Sequence, residues 1–171
     1  MVAELGASRR LGAKNLVGFE VGTVRYAAEI MRVREIIRPL PTVELPHMPP
    51  AVQGVSDHRG DVVPVVDLRR RFGLGPRSQW LAGRWIVVAR DNRLVALVVD
   101  RVTEVFGGEA AEERDIPEVP AGKGQRAISS VYRYQGDLVF VVDVDLLTDV
   151  SEEVDLSLAK VMLEESAHVT G

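Results

Sequence analysis

Three histidines are the residues best suited to acid–base chemistry or metal binding: His47, His58 and His168. No two of them stand at the short spacing of zinc ligands, and the chain has no cysteine to supply a thiolate. His47 lies in a proline-rich stretch and His168 near the C-terminal end. We therefore expect each histidine to be structural or solvated, and we predict neither a metal site nor a cofactor.

Other groups that could do chemistry lack the context it requires. Gly122-Lys123-Gly124 has only a fragment of the glycine spacing of a phosphate loop, so a flexible connection is expected. Ser129-Ser130 does not stand in a Gly-x-Ser-x-Gly elbow. Asp67, Asp100 and Asp143 each end a β-type run, where capping a turn is favoured over a carboxylate cluster. No catalytic residue is predicted, and an enzyme acting on a small molecule is kept only as a rival hypothesis.

The elements that position these residues are mostly strands. A strand, a tight turn at Gly22-Thr23 and a second strand are predicted between Leu16 and Ile30. β-branched runs predict further strands at Val33–Ile37, Val62–Val66, Trp85–Ala89, Leu94–Val99 and Leu138–Val142. Turns are expected at Arg90–Arg93 and Gln135–Asp137. Because no strand alternates with a long amphipathic helix, we expect an antiparallel all-β scaffold.

Two short helical turns and one longer helix complete the prediction. Asp67 is expected to cap a turn that ends at Gly73, and Asp143 or Asp145 a second turn. Apolar residues at helical spacing predict a C-terminal helix that begins with Ser151 as its cap. The resulting organisation is a flexible N-terminal tail at residues 1–15, a folded domain at residues 16–150, and a helix and frayed tail at residues 151–171.

Composition limits the class of partner. The 171-residue chain is 46% hydrophobic and has a formal net charge of −4, which disfavours nucleic acid as a partner. No apolar run reaches the roughly 18 residues of a membrane span, so no direct membrane insertion is expected. The N-terminal residues do not form a signal peptide, and we expect a cytoplasmic protein.

The most specific segment runs from Val55 to Arg69, VSDHRGDVVPVVDLR. It resembles the G-V-x-x-x-R-G-x-x-(V/I)-P-(V/I)-(V/I)-D-L-R stretch of CheW-type chemotaxis coupling proteins. Further segments resemble other motifs of that family in the same order, and together they cover about residues 16–150: Tyr26–Ile37, Pro46–Gly54, Leu97–Val105 and Leu138–Leu147.

The resemblance implies a fold and a function. The fold would be all-β, with two packed five-stranded SH3-like barrels, the short helical turns and the C-terminal helix. The protein would be a non-catalytic adaptor that couples a methyl-accepting chemoreceptor signalling tip to the regulatory domain of a CheA-type histidine kinase. It would also join other CheW-like units in array rings, in the cytoplasm at membrane-associated or cytoplasmic receptor arrays.

The resemblance also implies receptor-binding residues, at positions that match Val33, Glu35, Gly54, Arg59 and Val105 and that lie along a groove between the barrels. Glu35 and Arg59 are expected to form a charge pair, and Gly54 to allow a close backbone approach. Val33 and Val105 either line an apolar slot for a receptor helix or belong to the core. No kinase-binding residue is assigned.

This sequence departs from the family pattern at a few positions. Asp57-His58 stand where Asn-Leu is frequent, and Ala96 and Ser130 stand where glycine is frequent. Asp57 is expected to compete with Glu35 for Arg59. These departures leave an alternative open, in which the chain is a divergent paralogue that binds receptor or array without coupling to the kinase.

Overall fold

A computed structural model gives the structure of residues 15–75, 83–107, 112–114 and 127–170, with the backbone alone for residues 112–114 and 168–170. The expected N-terminal tail lies outside the described residues, apart from Asn15, which begins the first strand. Gly122-Lys123-Gly124 also lies outside them.

Eleven strands in the described ranges form two sheets. The first sheet has the order β8-β1-β2-β11-β10-β9 and consists of β1 (Asn15–Val21), β2 (Val24–Glu29), β8 (Arg101–Gly107), β9 (Glu112–Arg114), β10 (Ile128–Tyr134) and β11 (Asp137–Val142). The second has the order β3-β6-β7-β5-β4 and consists of β3 (Val33–Ile37), β4 (Val52–His58), β5 (Asp61–Asp67), β6 (Arg84–Arg90) and β7 (Arg93–Val99). The predicted strands and turns are confirmed.

Two features of the sheets differ from the expectation. The first sheet gains a sixth, three-residue strand, because β9 pairs with the edge strand β10. Each sheet also contains one parallel pair, β2 with β11 and β5 with β7. Both pairs join strands that are distant in sequence, so the local pattern of hydrophobic residues carries no signal of their direction.

Hydrophobic packing explains why the strand sequences are such continuous apolar runs. A central cluster takes residues from both sheets, among them Phe19 and Ile86. The second sheet has a cluster of its own around Trp85, and the first has one around Phe106 and Tyr134. Since β6 and β7 bury alternate residues in two different clusters, both faces of these strands are apolar. Each sheet thus surrounds its own small core, and the two sheets pack on a shared one.

The helical segments are α1 (Leu68–Arg71), α2 (Val144–Leu147) and α3 (Leu156–Thr170), with 3₁₀ helices at Ile30–Arg32 and Asp149–Glu153. As predicted, Asp67 caps α1, and Asp143 rather than Asp145 caps α2. In the described part of the chain no helix is long and apolar enough to cross a membrane.

The C-terminal helix begins later than predicted. Ser151 is fully buried in a 3₁₀ helix, where its hydroxyl donates to the carbonyl oxygen of Thr148 at 2.7 Å. Asp155 takes the capping role instead, accepting from the backbone N–H groups of Ser157 and Leu158. The helix then continues to Thr170 rather than fraying from residue 166.

Candidate functional site

The turn between β4 and β5 presents Arg59 to solvent. Arg59 and Gly60 form a two-residue hairpin loop, and both have positive φ, at 54° and 87°. This is the backbone of a type I′ turn, which matches the twist of the strands on either side. Asp57 accepts a hydrogen bond from the backbone N–H of Gly60 at 2.9 Å. The turn therefore holds the Arg59 backbone in one orientation.

Glu35 bridges two side chains from this hairpin, the imidazole of His58 and the guanidinium of Arg59. One carboxylate oxygen lies 3.1 Å from the Arg59 guanidinium, and the other lies 2.6 Å from Nε2 of His58. The hydrogen bond from His58, with the Arg59 charge adding to it, lowers the pKa of Glu35 below its ordinary value. A carboxylate can only accept, so Nε2 of His58 carries the proton. The side chains of His58, Glu35 and Arg59 are 12%, 32% and 75% exposed.

The bridge confirms one expectation and corrects another. The predicted charge pair of Glu35 with Arg59 is present. Asp57 does not compete for Arg59, because its carboxylate is used within the turn. His58, expected to be solvated or structural, is the residue that shares Glu35. The sequence held one indication of this role: His58 places a titratable side chain beside Arg59, where the family pattern has an apolar one.

This bridge, called the Glu35 cluster below, lies in an open groove of about 840 Å³. The groove is lined by β3, the β4–β5 turn, the β6–β7 turn and the first turns of α3. Half-buried Val62, Leu94 and Leu156 supply apolar surface, and charged residues surround it. The groove is therefore built from the second sheet and α3, and not from residues of both sheets.

Gly54 is buried on β4, the strand that ends at His58. A Cβ at this position would come within 2.7 Å of the carbonyl oxygen of Val43, which bridges β4 through Val55. The expected close backbone approach is thus real, but the approaching backbone belongs to the proline-rich loop of the chain itself. Gly54 supports the strand that carries His58.

Val33 and Val105 occupy different surroundings. Val33 begins β3 and packs, half-buried, against the central cluster. Val105 lies on β8 in the first sheet and is 57% exposed. Of the five predicted site residues, Glu35 and Arg59 lie in contact. Val33 is on β3 with Glu35, and Gly54 is on β4, which leads to Arg59. Val105 is on β8 in the first sheet, whereas the other four belong to the second sheet or its hairpin.

The three candidate carboxylates serve the fold. Asp67 and Asp143 cap short helices, as described above. Asp100 accepts from the backbone N–H of Gly22 at 2.6 Å and from the Arg69 guanidinium at 2.7 Å. Among the residues with described side chains, no group of three or more histidine, aspartate or glutamate residues is arranged to hold a metal ion.

The comparisons with known proteins all identify the same family. Residues 15–152 match the family described as "CheW-like domain". The chain is 32% identical to "Chemotaxis protein CheW" of Rhizobium meliloti over 137 residues, covering 78% of this chain and 86% of the relative. It is 34% identical to "Chemotaxis protein CheW" of Helicobacter pylori over 104 residues, 61% of each chain.

A solved structure supports the same assignment. The crystal structure of scaffolding protein TtCheW from Thermoanaerobacter tengcongensis resembles this chain with a TM-score of 0.69 at 25% identity, covering 83% of this chain and 94% of the other. This likeness confirms the predicted all-β fold of two packed SH3-like barrels. The matched family, the sequence relatives and the structural neighbour establish that this chain belongs to the CheW-like family of chemotaxis scaffold proteins.

Proposed function

We propose that this protein couples a chemoreceptor signalling tip to the regulatory domain of a CheA-type histidine kinase, and that it helps to build the receptor array in the cytoplasm. The observation that carries the proposal is the Glu35–Arg59 ion pair at an open groove of a CheW-like domain. An exposed guanidinium beside apolar surface suits an amphipathic helix, whose apolar face enters the groove while a carboxylate meets the charge.

Val105 is proposed as a second, apolar contact with the receptor, since more than half of its side chain is exposed. Val33 and Gly54 are proposed to act indirectly. Val33 fixes the start of the strand that carries Glu35, and Gly54 lets the proline-rich loop pack on the strand that carries His58.

The test is binding of the purified protein to a soluble helical hairpin from the receptor tip, measured by calorimetry. Arg59→Glu should weaken binding at least tenfold without changing the melting temperature by more than a few degrees, because the side chain is exposed. The matched control is Arg70→Glu: Arg70 is also exposed and paired with a carboxylate, that of Asp67, but it lies in α1. Normal binding by Arg59→Glu would remove Arg59 from the receptor site.

A charge-swapped double variant, Glu35→Arg with Arg59→Glu, separates the two roles of the pair. It should restore the internal ion pair but not receptor binding, because the receptor meets a reversed charge. If binding returns with the swap, the pair serves stability and the partner does not contact Arg59.

Kinase coupling needs its own measurement. Adding the protein to receptor and kinase should raise kinase autophosphorylation several-fold. Receptor binding without any rise in kinase activity would favour the alternative, a divergent paralogue that occupies the array without coupling.

A further inference from the structure

The C-terminal helix α3 forms one wall of the groove that holds the Glu35 cluster. Leu156, Ser157 and Lys160, from the first turns of the helix, line this wall. The helix begins beyond residue 152, where the match to the CheW-like family ends. The matched domain therefore includes the Glu35 cluster but not the wall that faces the same groove.

Hydrophobic packing fixes the position of this wall. Ala159 is fully buried in a cluster that also contains Val52 and Val55 of β4. The helix therefore rests on the strand that leads to the Glu35 cluster. Lys160 follows Ala159 in the helix and is exposed at the groove. A well-packed backbone thus presents the charge of Lys160 to anything that enters the groove.

Four cations line the groove, and two of them have polar partners within the chain. Arg59 is paired in the Glu35 cluster, and Arg93 donates to the carbonyl oxygen of Ser151 at 3.3 Å. Within the described ranges, the side chains of Arg34 and Lys160 make neither an ion pair nor a hydrogen bond, and both residues are exposed. Lys160 is the one of these two that stands outside the second sheet, on the helical wall.

The carboxylates of the groove limit the kind of partner that fits. Glu35 is held by its own cluster, Asp61 begins β5, and Asp91 lies in the β6–β7 turn. Four cations and three carboxylates give the groove a formal charge of +1, in a chain whose net charge is −4. Asp61 and Asp91 disfavour a partner that is acidic over its whole surface. The groove suits an amphipathic helix with single carboxylates beside its apolar face.

Building on the proposed function, we propose that α3 is the second wall of the receptor site and that Lys160 determines specificity there, by pairing with a carboxylate of the docked receptor helix other than the one that meets Arg59. The two cations come from different elements, the β4–β5 hairpin and α3, so they contact separate positions of one helix. Val62, Leu94 and Leu156 supply apolar surface for it. Receptor tips that lack the second carboxylate bind more weakly.

Calorimetry with the soluble receptor hairpin measures the contribution of Lys160. Lys160→Gln should weaken binding about two- to fivefold, the range of one solvent-exposed charge interaction, and Lys160→Arg should keep most of the affinity. The matched control is Arg70→Gln, which removes one positive charge from α1, outside the groove, and should leave binding unchanged. Full affinity in Lys160→Gln, while Arg59→Glu still weakens binding, would overturn this inference and leave the proposed function standing.

A double-mutant cycle identifies the carboxylate that Lys160 meets. Each glutamate or aspartate of the hairpin is replaced singly by its amide, and its affinity is measured for wild type and for Lys160→Gln. One replacement should weaken binding to wild type but have little further effect on binding to Lys160→Gln. Additive effects for every replacement would show that Lys160 contacts no receptor carboxylate, which would overturn the inference.

A synthetic probe tests the groove even if the hairpin does not bind, an outcome that would count against the proposed function instead. The probe is an amphipathic helical peptide with a glutamate on either side of its apolar stripe, compared with the same peptide carrying glutamines. In NMR titrations the glutamate peptide should shift the amide signals of Leu156, Ser157 and Lys160. It should bind wild type more tightly than the glutamine peptide does, and Lys160→Gln should reduce this preference. An equal affinity of wild type for both peptides would overturn the inference.

Discussion

At the scale of single residues, the site depends on how one carboxylate is shared. Glu35 contacts the imidazole of His58 and the guanidinium of Arg59, and both residues belong to the hairpin that turns at Arg59-Gly60. Gly54 matters in a different way, because it admits a backbone carbonyl where any other residue would place a Cβ. The polar contacts of Glu35 can rearrange, whereas the requirement for glycine at position 54 is steric.

The steric requirement predicts that Gly54→Ala destabilises the protein by about 1–3 kcal/mol, since the added methyl group meets the backbone of Val43 at 2.7 Å. Chemical denaturation measures this change. Gly75→Ala is the matched control, because nothing lies within 4 Å of a Cβ there, and it should change stability by less than about 0.5 kcal/mol. Equal stabilities of the two variants would contradict the close approach.

At the scale of elements, arginines hold the segment between β11 and α3. Arg32 donates to the Asp145 carboxylate at 2.6 Å, and Arg90 donates to the carbonyl oxygen of Asp145 and to Glu152. Arg71 adds a longer contact with Asp149. Through these contacts the 3₁₀ helix Ile30–Arg32, β6 and α1 position the chain that leads from the first sheet to α3, which forms one wall of the groove.

These contacts predict a pH-dependent stability. The hydrogen bond from Arg32 lowers the pKa of Asp145 below its ordinary value of 3.8, so the ionised form is favoured by folding. Its contribution is present above that ordinary value and is lost as the pH falls through the lowered one. Asp145→Asn should therefore lower the free energy of unfolding by about 0.2–1 kcal/mol at pH 7, the range of exposed ion pairs. The decrease should become progressively smaller below pH 3.8.

Urea denaturation at several pH values checks this expectation. Glu153→Gln is the control, because Glu153 is exposed and makes no ion pair in the part of the chain that the structure describes. A cost for Asp145→Asn that stays constant down to the most acid pH would show that the Arg32 contact does not stabilise the fold.

At the scale of the whole molecule, the two sheets share one core. Phe19 from the first sheet and Ile86 from the second are fully buried and lie in the same hydrophobic cluster. If either sheet unfolds, apolar residues of the other sheet that pack in this cluster become exposed. The groove residues depend on the second sheet in the same way, because most of them lie on its strands and turns. We therefore expect the two sheets to unfold together.

Ile86→Val tests this cooperativity. Removing one buried methylene should cost about 0.5–1.5 kcal/mol. In native-state hydrogen exchange, the slowest amides of β1 and β11 should lose as much protection as those of β6, although the substitution lies in the second sheet. A loss confined to the second sheet would mean that the sheets are independent folding units.

The sequence alone determined many of the local elements of this protein. β-branched runs predicted seven of the strands, and Asp67 and Asp143 predicted the helix caps, because each acts on neighbours a few positions away. The motif from Val55 to Arg69 was enough to indicate the family. The charge pair of Glu35 with Arg59 followed from that resemblance and not from spacing.

Only the tertiary structure decided how distant segments meet. It joined His58 to Glu35 across 23 positions, where sequence reasoning had expected a solvated or structural histidine. It buried Ser151 against Thr148 and so moved the start of α3 to Leu156. It also placed Val105 on the other sheet from Arg59. Strand pairing and core packing are long-range contacts, and whether a polar side chain caps a helix, bridges strands or faces solvent depends on what those contacts bring beside it.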